Sequence, residues 1–145
     1  MKKTKKKKLV KCLFIEDCGI FQNQILVGVG VSYKEIIDFS KKEKANDWFT
    51  KGLEERKDII ESLIKEGKTG FVMEGNDLRG AFLLWLEKYD WKDWHTIEVL
   101  LHELHHLVYF TARQKSFEME LEAQAFLFED LFHRMRRKLA EKLKF

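Results

Sequence analysis

The chain of 145 residues contains no proline, eight glycines and only two cysteines. It also has no Ser/Gly-rich linker and no internal repeat, so we expect one compact domain. Cys12 and Cys18 are six positions apart and form no C-x-x-C pair, so they define neither a disulfide framework nor a redox motif. We therefore expect two reduced thiols in a cytoplasmic protein.

Long apolar runs are missing as well, since none approaches the roughly 20 residues that a membrane helix needs. The opening MKKTKKKK has the charge of a signal-peptide start, but Lys11, Glu16 and Asp17 interrupt the apolar stretch that would have to follow it. We predict no secretory signal and no membrane partner.

Positive charge is concentrated near the start of the chain. Seven of the 27 basic residues lie in residues 1–11, which leaves 20 basic residues against 24 acidic ones, a net charge of −4, in residues 12–145. We expect residues 1–8 to form a disordered basic tail and residues 9–145 to form a single domain. The tail can attract nucleic acid, but the acidic body argues against a broad phosphate-binding face.

The apolar pattern predicts an α+β fold. Strands are expected at 9–16, 24–32, 69–75 and 79–89, with a hairpin turn at 75–80 and a helix at 53–66 that ends at Gly67. Ser32 and Glu35 have the spacing of a capping box, so another helix should begin near Tyr33.

A central helix should contain VLLHELHHLVYF, residues 99–110, with Asp93 or Thr96 as its N-cap. Its apolar residues lie nearly all round the helix, which is typical of a helix buried at the centre of a domain. Polar residues on such a helix need a role, because an uncompensated buried charge is costly.

Within this helix, residues 102–106 match the pattern H-E-x-x-H. Positions i and i+4 share one helix face, so His102 and His106 can direct ring nitrogens at one Zn²⁺ ion. Glu103 is spaced to act as a general base on a zinc-activated water. His105 is not at ligand spacing with His102, and we assign it to the core or to a position behind the ligands. The pattern alone leaves open a buried helix with chance histidines.

A catalytic zinc takes three protein ligands and keeps a fourth position open. The downstream candidates are Glu118, Glu120, Glu122 and His133. We expect TARQKS to break the helix and Ser116 to cap the next one, so that the two helices form an antiparallel hairpin. In that register Glu122 is level with His106, which makes it the predicted third ligand.

The other candidates fit this register less well. Glu118 would lie about one turn nearer the loop, and Glu120 would point away from the side of the helix that carries Glu122. His133 would lie about 16 Å further along the helix axis, where we expect a surface histidine or one that lines a cleft.

The segment HELHH, followed after fifteen residues by EAQAF at 122–126, resembles the gluzincin metallopeptidases, whose third ligand lies in a similar helical segment. The small size resembles the minigluzincins and other small HExxH proteins of phages and bacteria, over residues 69–133. The resemblance implies a small, mostly antiparallel twisted sheet packed on an active-site helix and a C-terminal glutamate helix. It also implies that strand 79–89 is a sheet edge, where an extended peptide binds around Phe82 through main-chain hydrogen bonds.

The sequence departs from the larger gluzincins at two points. Phe126 stands where they often carry an acidic residue that holds a ligand histidine. They also use a Tyr or His from a C-terminal extension to stabilise the oxyanion, and here Tyr109 and His133 are the candidates in its place.

These features predict a monomeric zinc metallopeptidase that acts on peptide or protein substrates. His102, His106 and Glu122 would hold Zn²⁺, and Glu103 would be the general base. Three alternatives stay open: a catalytically silent or latent zinc-binding module that acts through a protein partner, a nucleic-acid accessory protein that binds through its basic tail, and a small α+β protein whose histidines only pack.

Overall fold

The computed structural model describes residues 10–17, 24–43, 47–74, 81–117 and 119–144. Its elements are β1 (Cys12–Asp17), β2 (Gln24–Val29), α1 (Tyr33–Lys42), α2 (Asp47–Glu55), α3 (Lys57–Lys65), β3 (Gly70–Glu74), β4 (Ala81–Leu86), α4 (Trp94–Gln114) and α5 (Leu121–Leu143). The predicted basic tail, the predicted turn at 75–80, Cys18 and Glu118 lie outside the described residues.

The four strands form one mixed sheet in the order β1-β2-β4-β3. β1 pairs with β2 and β3 with β4 in antiparallel fashion, whereas β2 and β4 are parallel. The parallel pair needs a crossover, which runs through α1, α2, α3 and β3. The α+β class is confirmed, with two of the three strand pairings antiparallel.

Helices cover both faces of this sheet. On one face α1, α2 and α3 pack against a cluster that includes Leu26, Leu83 and Trp85. On the other face α4 and α5 pack against a cluster that includes Val27 and Phe82. The two central strands are therefore buried on both sides, which explains their almost uninterrupted apolar sequences.

The prediction that strand 79–89 is a sheet edge was wrong. β4 lies between β2 and β3, and all six of its residues are buried. Its main-chain groups already bond to a neighbour on each side, so no peptide can be added there. Among the described strands, β3 is the outer strand on this side of the sheet.

Two helix starts were predicted correctly. Ser32 Oγ accepts a hydrogen bond from the Glu35 amide at 3.2 Å, and a Glu35 carboxylate oxygen accepts one from the Ser32 amide at 3.3 Å. These bonds complete the capping box of α1. At α4, the Asp93 side chain accepts a hydrogen bond from the amide of His95 at 3.1 Å, and Asp93 is the N-cap.

The helix predicted at 53–66 is two helices, since α2 ends at Glu55 and α3 begins at Lys57. Arg56 leaves helical geometry between them, with φ −103° and ψ 16°. Its guanidinium donates a hydrogen bond to the main-chain carbonyl of Glu74 at the end of β3. This tertiary contact joins the helical layer to the outer strand at the point where the helix is interrupted.

The predicted helix break at TARQKS is confirmed, since α4 ends at Gln114 within this segment. Ser116 does not cap the next helix. It adopts the left-handed conformation, with φ 60°, and the Phe117 amide donates back to the Ala112 carbonyl at 2.9 Å. These features terminate α4 with a Schellman motif. The following helix, α5, begins only at Leu121, with Glu120 as its N-cap.

No helix within the described ranges is both long enough and apolar enough to span a membrane.

Candidate metal centre

The candidate site lies on the side of α4 that faces away from the sheet. Leu100, Leu104 and Leu107 are fully buried and fix the helix against the sheet and α5. The expectation that α4 is buried all round was wrong, because the side chains of His102 and His106 are exposed. The histidines are therefore not core residues.

His102 and His106 direct the same ring atom at one another. Their Nε2 atoms are 3.1 Å apart, and the ring planes meet at 81°. Two imidazole nitrogens on a tetrahedral zinc, with bonds of about 2.0–2.1 Å, would be separated by roughly 3.3–3.4 Å. The pair therefore fits two ligand positions of one ion with a movement of a few tenths of an ångström.

An aromatic stack holds the His106 ring in place. The ring lies on Phe110 with a centroid distance of 6.2 Å and an interplanar angle of 20°. Phe110 in turn stacks on Phe82 of β4, with a centroid distance of 6.5 Å. The sheet thus supports one of the two candidate ligands through an intermediate ring, as supporting contacts do at metal sites.

Glu103 points in a different direction, into the space between α4 and β3. Its side chain is only 6% exposed. A Cβ atom added to Gly70 of β3 would be 3.2 Å from the Glu103 Cγ, so the strand passes directly over this side chain. Burial raises the pKa of Glu103, and the nearby His102 offsets this only in part. The buried carboxyl group therefore has an increased affinity for protons and lies within electrostatic range of His102.

A cavity of about 640 Å³ opens between α4 and the beginning of α5. Its wall comprises His102, His105, His106, Val108 and Tyr109 from α4, and Leu121, Gln124, Ala125 and Phe128 from α5. The four α5 residues have the spacing of one helix face. The cavity is thus an apolar cleft with three imidazoles on one side, a size and composition typical of ligand sites.

Glu122 is not part of this wall. It is exposed in the first turn of α5, about 100° round the helix axis from Leu121. Among the residues that the structure describes, no three His, Cys, Asp or Glu side chains are grouped so as to hold an ion. The structure brings His102 and His106 together and leaves Glu122 outside. The late start of α5 is the physical reason, because it changes the register on which the prediction relied.

Two residues that the sequence did not mark as important line the cleft. His105 is exposed, and its ring meets Phe128 edge-on with a centroid distance of 5.5 Å. Of its two predicted places the core is therefore wrong, and the position behind the ligands stays a prediction. Gln124 brings a polar amide to the otherwise apolar α5 side. The i, i+3, i+4 spacing of Leu121, Gln124 and Ala125 would have indicated this face only if the start of α5 had been known.

The two candidates for the oxyanion-stabilising residue are separated. Tyr109 lines the same cavity as His102 and His106. His133 is exposed, lines a different cavity, and lies 3.9 Å from Glu129. Of the two, only Tyr109 faces the space into which the histidine pair opens.

Neither a known protein family nor a curated protein nor a solved structure matches the chain.

Proposed function

We propose that the chain is a zinc-dependent peptidase with a zincin-like arrangement of its helices, as the resemblance to gluzincins implies. The observation that carries the proposal is the convergence of the His102 and His106 Nε2 atoms at 3.1 Å, beside the buried carboxyl of Glu103 and at the mouth of an apolar cleft. The 3.1 Å separation also satisfies a hydrogen bond between the two rings, and their exposure leaves both nitrogens accessible to an ion from solvent.

His102 and His106 would supply two ligands to the ion, and Glu122 the third. Bound zinc would act as a Lewis acid and lower the pKa of water to about 7. Glu122 lies in the first turn of α5, where backbone amides have no partner within the helix. That turn can therefore rearrange at a lower cost than a helix interior.

Glu103 would take a proton from the attacking water and return it to the leaving amine. Its environment supports this role, because burial raises its pKa and so brings proton uptake and release closer to neutral pH. The Tyr109 hydroxyl, on the wall of the same cavity, would donate a hydrogen bond to the oxygen on which negative charge develops.

The substrate would be an extended peptide that pairs with β3. β4 is enclosed by its two neighbours, whereas β3 has a partner strand on only one side within the described part of the sheet. Gly70 of β3 lies against Glu103, so a peptide added to this strand would bring its backbone towards the general base.

Metal analysis of the purified proteins is the first test. We expect about one zinc ion per wild-type chain, lost in His102→Ala and His106→Ala and reduced in Glu122→Gln. His105→Ala and Glu120→Gln are the matched controls, since each changes a neighbouring residue of the same type without removing a proposed ligand. A wild-type protein that holds no zinc after reconstitution would overturn the proposal.

Cleavage of a peptide library then tests the chemistry. The zinc-loaded wild type should cleave, and Glu103→Gln should retain zinc but lose turnover by at least about a hundredfold. Equal turnover in the two proteins would contradict the role of Glu103.

The exposed position of Glu122 favours a second candidate, a zinc-binding module without peptidase activity. In that case zinc would depend on both histidines but not on Glu122, and no library peptide would be cleaved.

A further inference from the structure

A second cavity lies towards the opposite end of the paired helices α4 and α5. It has a volume of about 440 Å³, and its wall comprises Tyr89 and Trp91 from the connection between β4 and α4, with His133, Arg136, Arg137 and Ala140 from α5. His133 is five residues beyond Phe128, the last α5 residue of the metal cleft, and so about 7.5 Å further along the helix axis, and the two walls share no residue. The second cavity is therefore separate from the proposed metal centre.

The charge of this cavity is positive and not neutralised. Arg134, on the same helix, makes ion pairs with Glu16 at 2.7 Å and with Asp130 at 2.9 Å. Arg136 and Arg137, in contrast, have no carboxylate partner among the residues that the structure describes. Two unpaired guanidinium groups at one concave site attract an anion, and phosphate oxygens match their donor geometry.

Arg136 is also held in place at the cavity. Its guanidinium lies over the ring of Phe132, 5.5 Å from the ring centroid. It is close enough to the buried phenol of Tyr89 to lower the pKa of that group, against the larger raising effect of burial. The contact with Phe132 thus limits the positions open to the guanidinium before any ligand binds, which reduces the entropy lost on binding.

Trp91 adds a planar apolar surface to the same cavity. Its side chain is 53% exposed, although the loop that carries it is well fixed. The Thr96 hydroxyl donates to the Asp90 carbonyl at 2.7 Å, and the Lys92 amide donates to the Asp90 carboxylate at 3.0 Å. The Lys92 ammonium lies over one face of the Trp91 ring, 5.3 Å from its centroid. A half-exposed indole in a fixed loop, beside unpaired arginines, suits a ligand with both a flat ring and an anionic group.

We propose that this cavity binds a nucleotide, with the base stacked on Trp91 and a phosphate group held by Arg136 and Arg137. The nucleotide can be a free molecule or one unit of a single strand, because both present the same base and phosphate. Asp90 already accepts a hydrogen bond from the Lys92 amide. Glu141 is one turn beyond Arg137 on α5, and among the described residues no ion pair joins the two.

The proposal is tested with the full chain by fluorescence anisotropy. The probes are a labelled adenosine monophosphate and a labelled oligothymidylate of about ten nucleotides, with inorganic phosphate and adenosine as unlabelled competitors. Trp91→Ala should weaken nucleotide binding at least about fivefold through lost stacking. Arg136→Gln and Arg137→Gln should weaken it by a similar factor or more.

Two matched variants test whether binding depends on residues of this cavity or only on the overall positive charge of the protein. Trp94→Ala removes a tryptophan that is 66% exposed but does not line the cavity, and Lys138→Gln removes one positive charge from α5 outside it. Both should bind within about twofold of the wild type. All five variants alter residues outside the two core clusters or at their margin, and urea unfolding confirms that each remains folded.

Each outcome decides between the possible sources of the ligand or overturns the proposal. Binding of the mononucleotide with this variant pattern assigns the site to a free nucleotide, and the same pattern with the oligomer alone assigns it to a single strand. Equal losses in Arg136→Gln and Lys138→Gln would show attraction by overall charge and contradict the proposal. It is also overturned if Trp91→Ala binds like the wild type, or if neither probe binds at millimolar protein.

Discussion

Gly70 is the position at which the outer strand β3 comes closest to the proposed catalytic helix. A Cβ added there would lie 2.9 Å from the Val99 Cγ1, 3.2 Å from the Glu103 Cγ and 3.2 Å from the Leu86 Cδ2. The backbone of Gly70 does not require glycine, since its φ is not positive. Gly70→Ala therefore tests packing between β3 and α4 without adding backbone strain.

The cost of Gly70→Ala follows from these distances. Carbon atoms in contact prefer about 3.5–4.0 Å, so the new methyl group forces Val99 to move by at least about 0.6 Å. Overpacking of this kind costs about 1–3 kcal/mol. Replacement of glycine by alanine also lowers the conformational entropy of the unfolded chain, which stabilises the folded protein by about 0.4–1 kcal/mol. We expect a net loss of about 1.3 kcal/mol in the free energy of unfolding, within limits of about 0 and 2.6 kcal/mol.

Urea unfolding of the metal-free proteins measures this loss. Val99→Ala removes the nearest contact, so the double variant Gly70→Ala/Val99→Ala should recover about 1 kcal/mol relative to the sum of the single changes. Because the methyl group also presses on Glu103, Gly70→Ala should reduce peptidase turnover more than zinc content. An unchanged stability, or additive effects of the two substitutions, would refute the close approach of β3 to α4.

Three further predictions follow from buried groups. Glu103 has a higher pKa in the folded protein than in the unfolded chain, so its contribution to stability is present at low pH and is lost as pH rises through the folded-state pKa. Metal-free Glu103→Gln should therefore become increasingly more stable than the wild type as pH rises from about 4, the range of an unfolded glutamate, until the folded-state pKa is passed, and a pH-independent difference in urea titrations would contradict this. Burial raises the pKa of Cys12 to about 11, with a smaller opposing effect of Lys142. In a Cys18→Ser background its thiol should react with Ellman's reagent about tenfold more slowly at pH 8 than a free cysteine, because a smaller thiolate fraction outweighs the higher nucleophilicity. Ser40 and Thr50 share a buried hydroxyl hydrogen bond of 2.5 Å. Ser40→Ala should cost about 1–3 kcal/mol in urea unfolding, and Ser40→Ala/Thr50→Val should regain most of it if the unsatisfied hydroxyl is the cause.

Local patterns predicted local structure well. The capping box of Ser32 and Glu35 and the N-cap Asp93 need only neighbouring residues, and both form as expected. The same holds for His102 and His106, because a spacing of four residues on a helix is sufficient to bring two side chains together. These features depend on helix geometry alone.

Features that depend on distant parts of the chain were harder to predict. The position of Glu122 relative to His106 depends on where α5 begins, and a Schellman motif with Ser116 in place of the usual glycine delays that start to Leu121. The six-residue apolar run of β4 did carry a useful signal, since an unbroken run favours a strand buried on both faces. The resemblance to gluzincins had instead suggested an edge strand.

The position of α5 at the end of the chain determines when the two cavities can form. α5 supplies five buried residues to the core beneath the sheet: Leu127, Leu131, Met135, Leu139 and Leu143. Through Arg134 it also reaches back 118 positions to Glu16 on the first strand. The contact with β1 has a high sequence separation, and contacts of this kind slow folding because a long loop must close before they form. Since α5 makes one wall of both cavities, a nascent chain that has not yet incorporated it has neither cleft. Whatever either cavity binds, its binding surface is complete only once α5 is in place.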